Sequence, residues 1–422
     1  MLEDRHQAKR SYAFLSNPHV THSALLSGHV ATTAERCSAE RVVLLIADTS
    51  ELDFSTHRAV RGLGPTRDSF SLGLLVHTTL AVSADRHDVL GVVDQFLWTR
   101  PDGASKRSLK ESTYQRKGRP RESERWSAAV RRVQDTLSGL ASGTVIEPVR
   151  YIVLGDRETD HFDLFTTAID TSQGFIFRVY QNRLLFSQDE QPPRHLIDEV
   201  RAAPVRASKF VTIPARAGRA ARVACLGIRG TQVVLAPPQS PDGRRQPVKA
   251  NIVAGIEIDP PSGVEPLCWY LLTTEPIDSP EQLLQIVHHY EARWLIEELH
   301  MGMKSGCATE ERQFESRHAI ENFLAFAVVV AVTLLRLRDF ARRPEPASAL
   351  AVLTATQLEV LKQLRPKLIK GGTARDALRA IATLGGFMGR KGDGEPGWRT
   401  LWRGFQKLLL MEEGYRLFRD KP

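Results

Sequence analysis

Residues 42–48 read VVLLIAD, a continuous apolar run that ends in an aspartate. A run of this kind, bounded by polar residues, is typical of a strand buried on both faces of a sheet. A second run, YIVLGD at residues 151–156, has the same pattern and again ends in an aspartate. Because α/β folds place ligand groups just after such strands, Asp48 and Asp156 are the first candidates for a functional site.

The segments around these two strands predict an α/β core. The β-rich runs at 71–83 and 89–99 predict a meander with the first strand. A helix over about 126–140 is expected before the second strand, and a helix over 160–170 and a strand over 174–180 after it. The order β, β, β, α, β, α, β predicts a sheet with mixed strand directions.

The rest of the chain separates into a β-rich stretch and a helical stretch. Residues 181–275 are turn-rich, and the runs FVTIPA, VACLGI, TQVVLA, NIVAGIEI and LCWYLLTT between the turns predict short strands. From Ser279, a suitable N-cap with Pro280 at the first helical position, helices are expected to the end. The apolar run at 323–335, 13 residues long, is too short to span a bilayer and predicts a buried helix.

These patterns predict a fold class and a division into domains. The class is α/β, with a mixed-sheet core, a β-rich insertion and a helical C-terminal domain. Pro344 and Pro346 mark a linker before that last domain. The predicted parts are 1–40, an N-terminal helical region; 41–180 with 276–343, the core; 181–275, the insertion; and 344–422, the C-terminal helical region.

Composition and charge narrow the class of protein. The 422 residues are 42% hydrophobic and 25% charged, which is ordinary for a globular protein, and the net charge of +8 favours a polyanionic partner such as nucleic acid. The four cysteines stand far apart, so neither a disulfide framework nor a zinc site is expected. The first ten residues hold no apolar stretch, and a cytoplasmic protein with no membrane contact is expected. Residues 101–125 form a basic loop, for which a solvated surface and a phosphate-tracking role are both open.

One predicted helix, over about 280–304, carries charged residues within an apolar sequence. Tyr290, Arg293, Glu297 and Lys304 share a stripe roughly 60° wide if the helix is regular. A carboxylate flanked by two cations and a phenol is suited to a metal ion with phosphate groups bound beside it. A surface ridge of salt bridges would have the same spacing, and this alternative stays open.

Together, Asp48, Asp156 and Glu297 supply three hard oxygen ligands from different elements. Such a set suits Mg²⁺ or Mn²⁺, and two such ions would assist displacement at a phosphodiester. A rival interpretation is a di-iron carboxylate site, because Glu158-x-x-His161 and Glu297-x-x-His300 have the required spacing. That site needs four long helices and two more glutamates.

The stretch YEARWLIEELHMGMK at 290–304 matches the YREK signature of bacterial cut-and-paste transposases. Further blocks match in order: RSYAFLSNPHV near the start, LLIADTS, FLWTRPD, LGDRETD, CWYLLTTEPIDS, LGGFMGRKGDGEPGW and LWRGF. On these residues the chain resembles the DDE transposases of the insertion-sequence-four family, most closely the transposon-five type. The resemblance covers essentially the whole chain.

The resemblance implies a ribonuclease-H-like catalytic core and a set of functional residues. Asp48, Asp156 and Glu297 would be the DDE triad, with two Mg²⁺ or Mn²⁺ ions in each active site. The residues implied to contact DNA are Arg157, Arg178, Tyr290, Arg293, Trp294 and Lys304, together with Trp269, which would stack on a flipped base. From the residues alone, a core strand aromatic is the simpler interpretation of Trp269.

The implied reaction is nicking at transposon ends, hairpin formation and opening, and strand transfer into target DNA. The implied partners are double-stranded DNA, both inverted-repeat ends and target, and a second copy of the chain bound through the C-terminal helices.

Two departures from the family pattern keep other functions open. Met301 stands where the relatives have a further lysine, and only nine residues precede the RSYAFLSNPHV block, where the family has a longer end-recognition segment. An N-terminally shortened dimerisation partner that inhibits a full-length transposase is therefore an alternative. A metal-dependent nuclease of the same fold is the third.

Overall fold

The structure is a computed structural model. It describes residues 5–57, 59–66, 70–101, 122–140, 148–187, 192–215, 220–239 and 245–419. Most of the basic loop predicted at 101–125 lies outside the described residues. The chain divides into two compact units, unit 1 with residues 1–37, 49–117 and 295–422, and unit 2 with residues 38–48 and 118–294. The four-part division expected from the sequence stays a prediction.

The described residues form a mixture of strands and helices. The strands are β1 (Val42–Asp53), β2 (Gly64–Pro65), β3 (Leu72–Ser83), β4 (Val89–Trp98), β5 (Arg150–Gly155), β6 (Gly174–Arg178), β7 (Ala207–Ile213), β8 (Arg222–Leu235), β9 (Val248–Ile258) and β10 (Cys268–Thr273). The helices are α1 (Arg5–Leu15), α2 (His22–Ser38), α3 (Glu122–Leu140), α4 (Phe162–Asp170), α5 (Leu196–Ala202), α6 (Pro280–Glu291), α7 (Trp294–Met301), α8 (Arg317–Arg342), α9 (Ala355–Leu364), α10 (Ala374–Leu384) and α11 (Trp398–Arg419). The mixed α/β class and the helical C-terminal region are thereby confirmed.

Unit 2 is built on a mixed sheet. Its strands follow the order β1-β5-β6-β10-β9-β8-β7. β1, β5 and β6 are parallel neighbours, and the remaining pairings are antiparallel. The centre of β1 is fully buried, as are Phe175 and Phe177 of β6, which stack at 4.8 Å between ring centroids. The continuous apolar runs therefore form strands because both faces of the sheet are covered.

Unit 1 combines an antiparallel meander with helices. β3 pairs with β2 and β4, and it neighbours β1 in the hydrogen-bonded order. α8 packs against β4, α1 and α10. The buried Asn322 of α8 donates to the carbonyl oxygens of Leu15 and Val20 at 2.8 and 2.9 Å, which holds the turn between α1 and α2.

The predicted strands VACLGI and TQVVLA are one strand in the structure, β8. The prediction of two strands was wrong, because the backbone stays extended through Arg229 and Gly230, which lie between the two runs. A Cβ on Gly230 would lie 2.6 Å from Cδ2 of Leu283, so this glycine allows α6 to approach the sheet closely.

The predicted helix over 280–304 is also interrupted, which corrects the regular stripe expected from the sequence. α6 ends at Glu291, and the amide of Arg293 donates to the carbonyl of Tyr290, a tighter turn than an α-helix makes. α7 then begins at Trp294, and residues Gly302–Gly306 form a π-helical turn. Because the angular step per residue changes twice, a single 100° step does not describe this segment.

α8 is longer than its apolar run suggests. By length and composition alone it could cross a membrane, and 61% of its most apolar window is buried inside the structure. A core helix passes the same test, so this observation is weak evidence for a membrane span.

Candidate active site

Asp48 and Asp156 lie at corresponding places along β1 and β5, which are parallel neighbours in unit 2. The register pairs Val42 with Arg150 and Ile46 with Leu154. Carried two residues further, the same offset places Asp48 level with Asp156. Adjacent strands are about 4.8 Å apart, so the two carboxylates are neighbours at one edge of the sheet.

The two aspartates differ in their backbone setting. Asp156 directly follows β5, as expected, whereas Asp48 lies inside β1, which continues to Asp53. The expectation that Asp48 follows its strand was wrong, because β1 continues into unit 1, where it neighbours β3. Both side chains are half-buried.

A tight turn fixes the position of Asp156. Its Oδ1 accepts the amide of Glu158 at 2.8 Å, and its carbonyl oxygen accepts the hydroxyl of Thr159 at 2.6 Å. A Cβ on Gly155 would lie 2.0 Å from Cγ2 of Thr159, so glycine is required for this turn. Arg157, the next residue, is exposed at the start of the 3₁₀ turn.

The pKa of Tyr290 responds to several of the predicted site residues, among them Asp156. Burial raises the pKa of Tyr290, whereas Arg293 and Arg178 lower it and Asp156 raises it further. The phenol is therefore protonated at neutral pH and can donate a hydrogen bond. Arg178 ends β6, and Tyr290 and Arg293 lie in and just after α6. Two elements of unit 2 thus bring two cations and a phenol together, and Asp156 lies close enough to act electrostatically on the same phenol.

Glu297 and Lys304 belong to unit 1. Glu297 is half-buried on α7, and Lys304 is half-buried in the π-helical turn. Burial lowers the pKa of His300, which lies between them in sequence, to about 3, and Lys304 contributes to the shift. His300 is therefore neutral at physiological pH.

The structure places the two tryptophans differently. Trp269 is half-buried on β10 and lies against Gly255, its partner on β9, since a Cβ on Gly255 would lie 2.3 Å from Cζ2 of the ring. Trp294 is 53% exposed at the start of α7, so the apolar sequence of the predicted 280–304 helix is not buried throughout.

The predicted metal ligands Asp48, Asp156 and Glu297 are divided between the two units. Across the described parts of the chain, no group of three or more His, Cys, Asp or Glu side chains is spaced to hold a metal ion. Asp48 and Asp156, which the extended register brings level, both carry hard oxygen ligands of the kind that suits Mg²⁺ or Mn²⁺. Glu297 belongs to the other unit, and the three-carboxylate site stays a prediction.

The di-iron interpretation does not fit. Glu158 lies in a 3₁₀ turn, and His161 is the N-cap of α4 with extended backbone angles. The two side chains therefore do not share a helix face, which the Glu-x-x-His spacing of such sites requires.

The sequence reasoning missed one polar contact beside the first aspartate. His77 of β3 is fully buried, and its Nδ1 lies 2.9 Å from Oγ1 of Thr49, the residue after Asp48. A histidine within the apolar run of β3 was the sequence feature that could have indicated this buried polar contact.

Fold and site together define a mixed α/β protein with a helical C-terminal region and a paired-aspartate sheet edge. Residues 353–421, which include α9, α10 and α11, match the family model described as the transposase Tn5 dimerisation domain. This match supports the assignment of the chain to a Tn5-like transposase family. Membership of the insertion-sequence-four family and the YREK signature stay predictions.

Proposed function

We propose that the chain is a DNA transposase that cuts DNA at transposon ends and joins them to target DNA. The observation that carries this proposal is the parallel register of β1 and β5, which, extended by two residues, would bring Asp48 level with Asp156. The similarity of residues 353–421 to a transposase dimerisation domain supports the same conclusion independently.

The strand arrangement supports a ribonuclease-H-like core as part of this proposal. β1, β3 and β4 are the three successive long strands of a meander, and β5 and β6 follow as parallel strands on the β1 side in unit 2. In this arrangement Asp48 would be the ligand from the first strand and Asp156 the ligand from the fourth. Glu297 on α7 would complete the triad.

Two Mg²⁺ or Mn²⁺ ions would activate the attacking oxygen and stabilise the leaving oxygen. In the first step a water oxygen bonds to phosphorus as the P–O3′ bond breaks, which leaves a 3′ hydroxyl and a 5′ phosphate. That hydroxyl would then attack the opposite strand to form a hairpin, which is opened before strand transfer.

The residues around Asp156 would bind the DNA backbone. Arg178 and Arg293 supply cations and Tyr290 a protonated hydroxyl, all suited to phosphate oxygens. Arg157 and Lys304 would add further phosphate contacts, with Trp294 beside them, and Trp269 would offer one ring face to an unstacked base because Gly255 covers the other. We place this activity in the cytoplasm.

The dimerisation-domain match supports a homodimer. The same observation favours a second function, in which the chain pairs with a full-length transposase and inhibits it without cutting DNA.

The decisive experiment measures Mn²⁺-dependent cleavage of duplex DNA that carries the flanking inverted repeat. Wild type is compared with Glu297→Gln and with Glu291→Gln, a matched change at an exposed residue that pairs with Lys209. We expect cutting at the repeat boundary by wild type and Glu291→Gln only. Equal cutting by Glu297→Gln would contradict the triad, and dimerisation without any cutting would favour the inhibitory function.

A further inference from the structure

We propose that Trp398 is a positioning residue that fixes the helix carrying Glu297 and the turn carrying Lys304. The proposal rests on the proposed function, since it assigns those two residues to the active site. It concerns unit 1 alone, and it connects the region that matches the dimerisation domain to the carboxylate predicted to bind metal.

The indole of Trp398 packs on the π-helical turn after α7. A Cβ on Gly302 would lie 3.0 Å from Cζ3 of the ring, closer than side chains normally approach, whereas a Cβ on Gly306 would lie 3.8 Å from Cβ of Trp398. The amide of Cys307 donates to the carbonyl of Gly302 at 3.0 Å and closes the wide turn. Glycine at 302 therefore lets the ring seat directly on the backbone that leads to Lys304.

The ring is also contacted by a cation that holds α7. The guanidinium of Arg338 lies 4.6 Å from the Trp398 ring centroid, and its Nη1 donates to Oε2 of Glu298 at 3.2 Å. Trp398 is only 8% exposed. Gly302 thus contacts Trp398, Trp398 contacts Arg338, and Arg338 pairs with Glu298. These contacts connect the turn after α7 to the residue next to Glu297.

A second contact joins the start of α11 to the same region. Arg399 pairs with Glu311 at 2.6 Å, and Oε1 of Glu310 accepts the amide of Asp53 at 2.9 Å. The first turn of α11 therefore touches two consecutive turns after α7. The second of these turns is hydrogen-bonded to the last residue of β1.

These contacts give the indole a role beyond filling space. α11 is one helix from Trp398 to Arg419, so holding its far end in a dimer also restrains Trp398. The restraint passes through the ring to the backbone of the turn and to Glu298. Removing the ring frees both, and a displacement of about 1 Å in a catalytic group costs on the order of a hundredfold in rate.

The test uses two pairs of variants in the full chain. Trp398→Ala removes the ring, and Trp398→Phe keeps a smaller one. Gly302→Ala places a methyl group against the ring, and Gly306→Ala is its matched control because its methyl group meets only an ordinary contact. For each protein, amide hydrogen exchange of residues 297–307, dimer formation, DNA affinity and the single-turnover cleavage rate are measured.

We expect Trp398→Ala and Gly302→Ala to exchange faster at residues 297–307, by about tenfold or more, because local opening there becomes easier. Their cleavage rates should fall by about tenfold or more with dimer formation unchanged, and any loss of DNA affinity through Lys304 should be smaller than the loss in rate. Trp398→Phe and Gly306→Ala should stay close to wild type. Should Trp398→Ala fail to fold, the two glycine variants carry the test.

The outcomes separate this inference from the proposed function. If wild type does not cut DNA, the proposed function fails, and the exchange data alone decide whether Trp398 fixes the turn. Unchanged exchange at 297–307 in both Trp398→Ala and Gly302→Ala would overturn the positioning role. So would unchanged cleavage by both variants of an active enzyme.

Discussion

The carboxylate of Asp156 has two roles at the residue scale, and one substitution separates them. It accepts the amide of Glu158 as an N-cap, and it is proposed to bind a metal ion. Asparagine caps as well as aspartate but carries no charge. Asp156→Asn should therefore keep its thermal stability and lose Mn²⁺ affinity and cleavage by about a hundredfold or more.

Calorimetric Mn²⁺ titration, thermal unfolding and the cleavage assay check this separation. Asp170→Asn, at an exposed residue at the end of α4, is the control and should resemble wild type. Cleavage at the wild-type rate by Asp156→Asn would remove Asp156 from the site.

The second prediction at the residue scale concerns Asp339 and the pH dependence of folding stability. Burial raises its pKa to about 6, Arg343 lowers it and Asp88 raises it. Because the folded pKa lies above the unfolded value, the folded state holds more protons between roughly pH 4 and pH 6. Stability contributed by this group is thus present below pH 4 and is lost as the pH rises to about 6.

Asp339→Asn removes this titration. It should raise the melting temperature relative to wild type at pH 7.5, and the advantage should shrink at pH 4.5. Arg343 should keep its ion pair with Asp88 in the variant, and Arg342, which also lowers the pKa of Asp339, is unchanged. A melting-temperature difference of the same size at both pH values would show that Asp339 does not titrate in this range.

At the element scale, the sequence predicted what local pattern determines and missed what tertiary contacts determine. The apolar runs that end at Asp48 and Asp156 carry their own signal, and the structure has strands at both. The break after Glu291 has no local signal, since neither Ala292 nor Arg293 is a helix breaker. The continuity of β8 through Gly230 had no local signal either, because the close approach of Leu283 that this glycine allows is a tertiary contact.

The candidate site divides in the same way. The sequence could indicate both aspartates, because each follows an apolar run, but it could not show that β1 continues past Asp48 to Asp53. Tyr290 and Arg293 were found through a helical spacing that the structure does not keep, and they lie near Asp156 because of where α6 ends. The contact between Trp398 and Gly302 joins residues far apart in sequence, and no periodicity reveals it.

The crossing of α10 and α11 gives a prediction about two elements. A Cβ on Gly404 would lie 1.8 Å from the carbonyl oxygen of Ile381, and one on Gly385 would lie 1.9 Å from that of Thr400. The backbones touch, so Gly404→Ala must separate the helices. We expect a loss of about 3 kcal/mol or more in the free energy of unfolding.

Denaturant unfolding of the full chain measures this loss. Gly28→Ala is the control, because Gly28 is exposed on α2 with no atom within 4 Å of its built Cβ. That change should be neutral or stabilise by up to about 1 kcal/mol. Equal stability of the two variants would contradict the close crossing.

At the scale of the whole molecule, the last half of α11 presents an apolar surface without a covering element in the described chain. Leu410 and Leu417 are 55% and 64% exposed, and Met411 is 39% exposed. Leu410 and Leu417 are seven residues apart and share one face of the helix, and Gly414 lies between them with no atom within 4 Å of its built Cβ. Met411 lies about 100° further round the helix. This face, within the dimerisation-domain match, is suited to the same face of a second copy, since a two-fold interface uses one patch on both subunits.

Leu410→Glu places a charge in that surface and should weaken dimerisation by about tenfold or more, because an unpaired charge is costly to bury. Sedimentation equilibrium gives the dissociation constant, and Gln363→Glu, which adds one negative charge at an exposed residue of α9, is the matched control. If α11 transmits the state of the dimer through Trp398, the cleavage rate of Leu410→Glu should recover at protein concentrations that restore the dimer. A rate that stays low when the dimer has re-formed would mean that Leu410 acts on the active site by another route, and a dissociation constant equal to that of wild type would place the dimer interface elsewhere.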